Sequence, residues 1–215
     1  MFKVKICGIR EVRHLRAAVK SGASYVGFVF FEKSRRNVSI ETAQRLARKV
    51  PKGVLKVALM VDPTDEFAFN ILNHVPIDML QLHGNETIDR VQRLKNISNL
   101  PIMKALGVNT KSDLAAIKKY EMVSDQILID AKPPVESKVP GGLGKTFDWN
   151  ILSEFQSKKP WLLAGGLTSK NVKIAIEKTG ARQFDVSSGV EDECGVKSEE
   201  KIFEFINTLK GELDE

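Results

Sequence analysis

Short apolar, β-rich runs alternate with stretches of helical spacing from one end of the chain to the other. Strand patterns fall at 3–7, 25–30, 55–61, 78–83, 101–106, 126–130, 161–165 and 183–188. Helical patterns fall between and after them, near 11–21, 40–49, 65–73, 86–96, 111–120, 148–156, 169–178 and 198–210. Ser39 before Ile40, Asn85 before Glu86 and Thr168 before "SKNVKIAIE" stand where helix starts are expected. Eight strand–helix alternations predict an α/β fold, a single (β/α)8 TIM barrel over residues 1–215. The competing architecture is a doubly wound open sheet. It usually carries a dinucleotide glycine fingerprint after its first strand, and "CGIREV" is not one.

Composition narrows the partners. The chain has 215 residues, 42% of them hydrophobic, enough for one sizeable core, and no linker-like stretch interrupts the alternation. Lys and Arg number 33 against 27 Asp and Glu, a net charge of +6. These charges are scattered, as on a solvated surface that also favours anionic ligands. "KSRR" and "KSKK" are short and lack interleaved aromatics, so no nucleic-acid partner is expected. No apolar run approaches the roughly 18 residues of a membrane span, and no signal-like segment precedes the first strand. With two cysteines, Cys7 and Cys194, a reducing cytoplasmic setting with free thiols is expected.

In a barrel of this kind chemistry gathers where strands end. The predicted first strand ends in Cys7, the fourth in His83, the sixth in Asp130, and the eighth runs through Asp185, Ser187 and Ser188. Alternation by two puts Lys5 on the face of Cys7, Gln81 and Met79 on that of His83, and Ser187 on that of Asp185. A buried lysine needs a counter-charge, so Lys5 is expected to pair with Asp185 on the neighbouring last strand. Cys7 can be core filler or a general base. Asp130 can be a cap or ion-pair acid, or a carboxylic acid whose apolar surroundings let it donate a proton. His83 can be bonded to a backbone carbonyl or can face a ligand. No ligand spacing supports a metal site.

Two glycine-rich segments suit a phosphate. "AGGL", with Gly165 and Gly166, follows the seventh strand, and "VSSGV", with Ser187, Ser188 and Gly189, follows the eighth. The connection "AKPPVESKVPGGLGKTFDW" is longer than a simple link needs and reads as a lid or binding loop. Arg36, in "FFEKSRRN", offers a planar fork for a carboxylate or phosphate, whereas Arg35 reads as a surface charge. Cys194 reads as an idle surface thiol.

Taken in order, "KICGIR", "GFVFFEKSRR", "QLHGNE", "ILIDA", "GGLGKTFDW", "LAGGLTSKNV" and "DVSSGVE" resemble the phosphoribosylanthranilate isomerase family of tryptophan biosynthesis. The resemblance spans residues 3 to about 191. It implies an Amadori rearrangement of N-(5-phosphoribosyl)anthranilate to 1-(2-carboxyphenylamino)-1-deoxyribulose 5-phosphate, with no metal or cofactor. It further implies Asp130 as the acid that opens the furanose ring and Cys7 as the base at C2′. Arg36 would hold the anthranilate carboxylate, and the glycines and serines of the last two loops the phosphate. Leu143, Arg35 and Ser198 depart from the family's usual residues. Two alternatives remain: the histidine-pathway phosphoribosyl isomerase, which usually has aspartate where Cys7 stands, and a non-catalytic phosphate-binding barrel. The expected assembly is a monomer or a homodimer.

Overall fold

In the computed structural model, which describes residues 2–134, 136–137 and 139–212, eight parallel strands close into a barrel in chain order. They are β1 (Lys3–Cys7), β2 (Tyr25–Phe30), β3 (Leu55–Met60), β4 (Met79–Leu82), β5 (Ile102–Val108), β6 (Gln126–Ala131), β7 (Trp161–Leu163) and β8 (Gln183–Val186). The helices are α1 (Val12–Ser21), α2 (Ile40–Ala47), α3 (Asp65–His74), α4 (Ile88–Ser98), α5 (Leu114–Tyr120), α6 (Val172–Thr179) and α7 (Glu199–Gly211). A short hairpin, β9 (Glu191–Glu193) and β10 (Val196–Lys197), follows β8. Among the described residues no helix is long and apolar enough to cross a membrane.

Most of the apolar burial lies between sheet and helices, where alternate strand residues such as Ile6, Phe28, Leu80, Ile129 and Phe184 meet the apolar stripes of the helices. The lumen holds a smaller cluster that includes Tyr25, Val57, Met103, Leu128 and Leu162. Three polar side chains close its lower end: Tyr25 and Gln126 both donate to Gln183 Oε1, at 3.2 and 3.0 Å. Register then places Lys5 beside Asp185 and Cys7 beside Gly27.

Helix starts follow side-chain caps. Ser39, Thr64, Thr87 and Ser198 each accept from a backbone N–H in the first turn, so Ser198 serves as a helix cap. Two expected caps are corrected. Asn85 does not open α4, because Glu86 turns inward to a buried ammonium and Thr87 takes the cap position. Thr168 does not open α6: its N–H donates to Asn171 Oδ1, and the helix begins only at Val172. The helix expected at 148–156 is a 3-10 turn, Trp149–Leu152, in which Asp148 accepts from Asn150 N and draws the backbone out of the α-helical ladder. Strands expected at 161–165 and 183–188 end sooner, at Leu163 and Val186, because Gly165–Gly166 and Ser188–Val190 already turn the chain.

Candidate active site

One pocket at the C-terminal ends of the strands gathers most of the expected residues. Cys7, Arg36, His83, Asp130, Gly165, Gly166, Asp185, Ser187 and Ser188 all line it. Gly189 does not face it. A Cβ there would fall 1.8 Å from Leu167 O, so this glycine instead lets the loops after β7 and β8 touch.

Cys7 is the last residue of β1, and its side chain points into the barrel mouth with only 4% exposure. Beneath it Lys5, fully buried, donates to Asp185 Oδ1 at 2.7 Å, as the strand register leads one to expect. The neighbouring β2 residue is glycine for a steric reason: a Cβ at Gly27 would lie 3.0 Å from Cys7 Sγ and 3.1 Å from Lys5 Nζ. The thiol and the ammonium therefore share one small space. Burial is the largest influence on the thiol and pushes its pKa above the ordinary value. Lys5 pulls it back by charge and hydrogen bonding, while Asp185 works in the raising direction. Burial also opposes the charge on Lys5, but Asp185 and the thiol outweigh it and keep the ammonium protonated.

Asp130, near the end of β6, is 7% exposed and held from two sides. Its Oδ1 accepts from Ala131 N at 2.8 Å, and its Oδ2 lies 3.4 Å from His83 Nε2. His83 Nδ1 is 3.2 Å from Gln81 Nε2. An amide donating there leaves the ring proton on Nε2, facing Asp130. His83 thus faces the pocket and its acid, and among the described residues no backbone carbonyl takes its ring.

The long loop after β6 packs over this mouth. Val135 and Lys138 of the segment read as a lid lie outside the described residues, while Val139–Lys145 line the pocket. A Cβ at Gly141 would come within 2.5 Å of Asp130 Oδ2, and one at Gly142 within 2.5 Å of Arg36 Nη1. Leu143 is partly exposed at the rim.

Opposite the polar groups lies an apolar wall, in which Val29 and Leu59 pack with Cys7, flanked by Phe31 and Val61. Arg36 adjoins it. Its Nε and Nη2 donate to Glu191 at 2.7 and 2.8 Å, so the Nη1 side of the fork is the part left toward the pocket. Arg35 is exposed, and its carbonyl accepts from Arg10.

On the remaining side, Gly165 and Gly166 have φ values of +88° and +61°, a conformation glycine adopts without strain. Asn171 Nδ2 donates to Gly166 O and fixes that turn. Among the described residues no acceptor takes the N–H of Gly165 or Gly166, which suits an anion. Ser187 Oγ donates to Cys7 O, and so ties the loop after β8 to the end of β1. Sequence patterning does not single out Glu191, Lys197 or Asn171, because neither hairpin strands of two or three residues nor a loop amide leaves a periodic signal. Cys194 is exposed on the hairpin, and both cysteines are free.

Comparison with known proteins places this geometry. A model of the family "PRAI: N-(5'phosphoribosyl)anthranilate (PRA) isomerase" matches residues 4–208. The chain is 54% identical over 203 residues, 94% of each sequence, to an N-(5'-phosphoribosyl)anthranilate isomerase of Paracoccus denitrificans. Among solved structures it is similar to the phosphoribosyl anthranilate isomerase of Thermotoga maritima, with a TM-score of 0.88 and 36% identity over 98% of this chain and all of the other. It is also similar, at TM-score 0.85 and 32% identity over the same shares, to an isomerase in complex with reduced 1-(o-carboxyphenylamino)-1-deoxyribulose 5-phosphate.

Proposed function

The chain belongs to the N-(5'-phosphoribosyl)anthranilate isomerase family, and from that premise we propose how its barrel mouth performs the family's reaction. It isomerises N-(5'-phosphoribosyl)anthranilate, a step of tryptophan biosynthesis. The observation that carries the assignment of roles is that a thiol and a carboxyl group, on β1 and β6, line one buried mouth between an anion-ready turn and an arginine fork.

In this reading the phosphate sits on Gly165, Gly166, Ser187 and Ser188, and the anthranilate ring lies along Val29, Leu59 and Phe31. Its carboxylate meets the Nη1 side of Arg36. Asp130, in its protonated form, delivers a proton to the furanose ring oxygen. The C1′–O bond breaks and an iminium forms. That cation acidifies C2′–H, and the Cys7 thiolate removes the proton to give an enolamine. Protonation at C1′ and loss of the hydroxyl proton at C2′ complete the ketose and return both groups to their starting states. The base is the ionised fraction of Cys7: burial raises the thiol's pKa, and Lys5 beside it lowers the cost of ionising it. Asp185 acts as the counter-ion of Lys5 at the pocket wall, and His83 as the partner of Asp130.

We also read the chain as one domain, working in the cytoplasm. Two free thiols and a strand order closed without a break support that reading. For the assembly we keep monomer or homodimer, and one relative, from Thermotoga maritima, is dimeric.

The test is loss of anthranilate-type fluorescence on mixing with freshly made phosphoribosylanthranilate, run beside the histidine-pathway substrate. Fast conversion of the first and little of the second is expected. No conversion of the first at micromolar enzyme overturns the reading. Arg36→Ala should raise KM by ~10-fold or more with a smaller change in kcat. An unchanged KM removes Arg36 from the carboxylate site.

A further inference from the structure

Arg36 is not a free fork. Glu191 of β9 grips it through two hydrogen bonds and also accepts from Gly195 N at 3.1 Å. Glu191 Oε1 accepts in addition from Lys197 Nζ on β10. The same ammonium donates to Ser187 O at 2.9 Å and to Ser187 Oγ at 3.0 Å. Ser187 in turn donates to the carbonyl of Cys7. One lysine thus joins the proposed carboxylate anchor, the phosphate loop and the end of β1.

The charges do not cancel. Arg36, Glu191 and Lys197 are 8%, 8% and 3% exposed, and together they make two cations and one anion. The neighbouring Lys5–Asp185 pair is neutral in sum. The remaining titratable groups that act on Lys197 or on the groups joined to it are the Cys7 thiol on β1, the Cys194 thiol of the hairpin, His14 on α1 and Lys201 on α7, whose ammonium donates to Glu191 O at 2.8 Å. A buried surplus positive charge is costly unless an anion arrives to share it. The substrate brings a carboxylate and a phosphate to the two ends of this network.

We propose that Lys197 and Glu191 are positioning residues that lock the Arg36 fork to the Ser187 loop and leave this buried network one positive charge in excess, so that substrate binding is coupled to the charge on Lys197. The proposal rests on Arg36 and Ser187 holding the substrate's two anionic ends. Burial is the largest influence on Lys197 and, with Arg36 nearby and Glu191 only partly offsetting, brings its pKa down to about 8. Glu191 is driven the other way: burial opposes its charge, but Arg36 and Lys197 overcome this and hold it at about 2. The network's charge therefore changes in the mildly alkaline range, through the lysine.

The direct experiment is calorimetric titration with the reduced product analogue, in two buffers of different ionisation enthalpy, between pH 7 and 9.5. It is run on Cys7→Ser, so that the thiol contributes no proton. Kd should rise above pH 8 toward a limit of ~10-fold per unit, with proton uptake of up to about three-quarters of a proton per ligand at pH 8.5 and approaching one at pH 9.5. Lys197→Arg in the same background should bind as tightly as its parent at pH 7, with the alkaline loss and the proton uptake both gone. Lys197→Met should bind ~10-fold or more weakly at pH 7 and show no pH dependence. Circular dichroism checks its folding, and if that variant fails to fold, the first two measurements decide. An affinity independent of pH in Cys7→Ser, or unchanged proton uptake in Lys197→Arg, overturns the proposal. Arg36→Ala binding as tightly as its parent would instead sink the anchor reading on which the proposal rests.

Discussion

Two lysines deep in this barrel, Lys104 and Lys5, each pair with a buried carboxylate, yet their surroundings differ. Lys104 on β5 points outward between the lumen residues Met103 and Ala105. Its ammonium donates to Glu86 Oε2 at 2.9 Å and to the carbonyls of Leu82, Gly84 and Ala105, with the Tyr120 ring 5.5 Å away. Glu86 spends its other oxygen on Asp62 N and Gly84 N. Every valence is used, and what the pair fixes is the loop that carries His83. Lys5 points inward and, among the described residues, finds Asp185 as its one carboxylate or carbonyl partner, with the thiol of Cys7 beside it over Gly27. A buried charge whose capacity is filled by backbone is scaffold. One that keeps capacity next to a reactive group at a pocket is placed for chemistry.

The largest effect expected from this contrast is on stability at the scaffold pair. Lys104→Met leaves Glu86 buried without a counter-charge and should cost ~3–5 kcal/mol. The cost is read from the denaturant midpoint, while kcat of the fraction still folded should stay within about twofold of wild type. A large kcat loss in well-folded Lys104→Met would erase the distinction.

The functional pair should behave in the opposite sense. In Lys5→Met/Asp185→Asn both charges leave together, so stability should change by about 1 kcal/mol or less. The thiol, however, loses the cation that favours its ionised form. Alkylation of Cys7 against pH, in a Cys194→Ser background, should move its midpoint upward by about one unit. The rising alkaline limb of kcat should move with it, because the base acts only when deprotonated. An unmoved midpoint would make Lys5 a second scaffold lysine.

The same contrast explains what the sequence could reveal. Alternation along β1 and β8 puts Lys5 and Cys7 on one face and Asp185, with Ser187 just past the strand, on the same side, because strand period is a local consequence of the chain. His83 and Asp130 followed from the rule that strand ends face the mouth. The loops carried less information. Glu86 looked like a first-turn helix residue because sequence spacing does not show that an ammonium 18 positions away claims it. Arg36 was visible as a fork, but its clamp by Glu191, 155 residues distant, is set only when the barrel closes. The helix expected after the long loop failed to form because Asp148 bonds locally, and Gly189 proved to be a packing glycine. Long-range polar contacts and tight backbone approaches leave no period to read.

The central claim is that protons pass between substrate and two named groups, Cys7 and Asp130. Steady-state kinetics of Cys7→Ser and of Asp130→Asn on phosphoribosylanthranilate test it most directly. Each should lower kcat by ~10²–10⁴-fold with KM nearly unchanged, since the lost interaction is made in the transition state. Turnover near the wild-type rate in either variant would contradict the account.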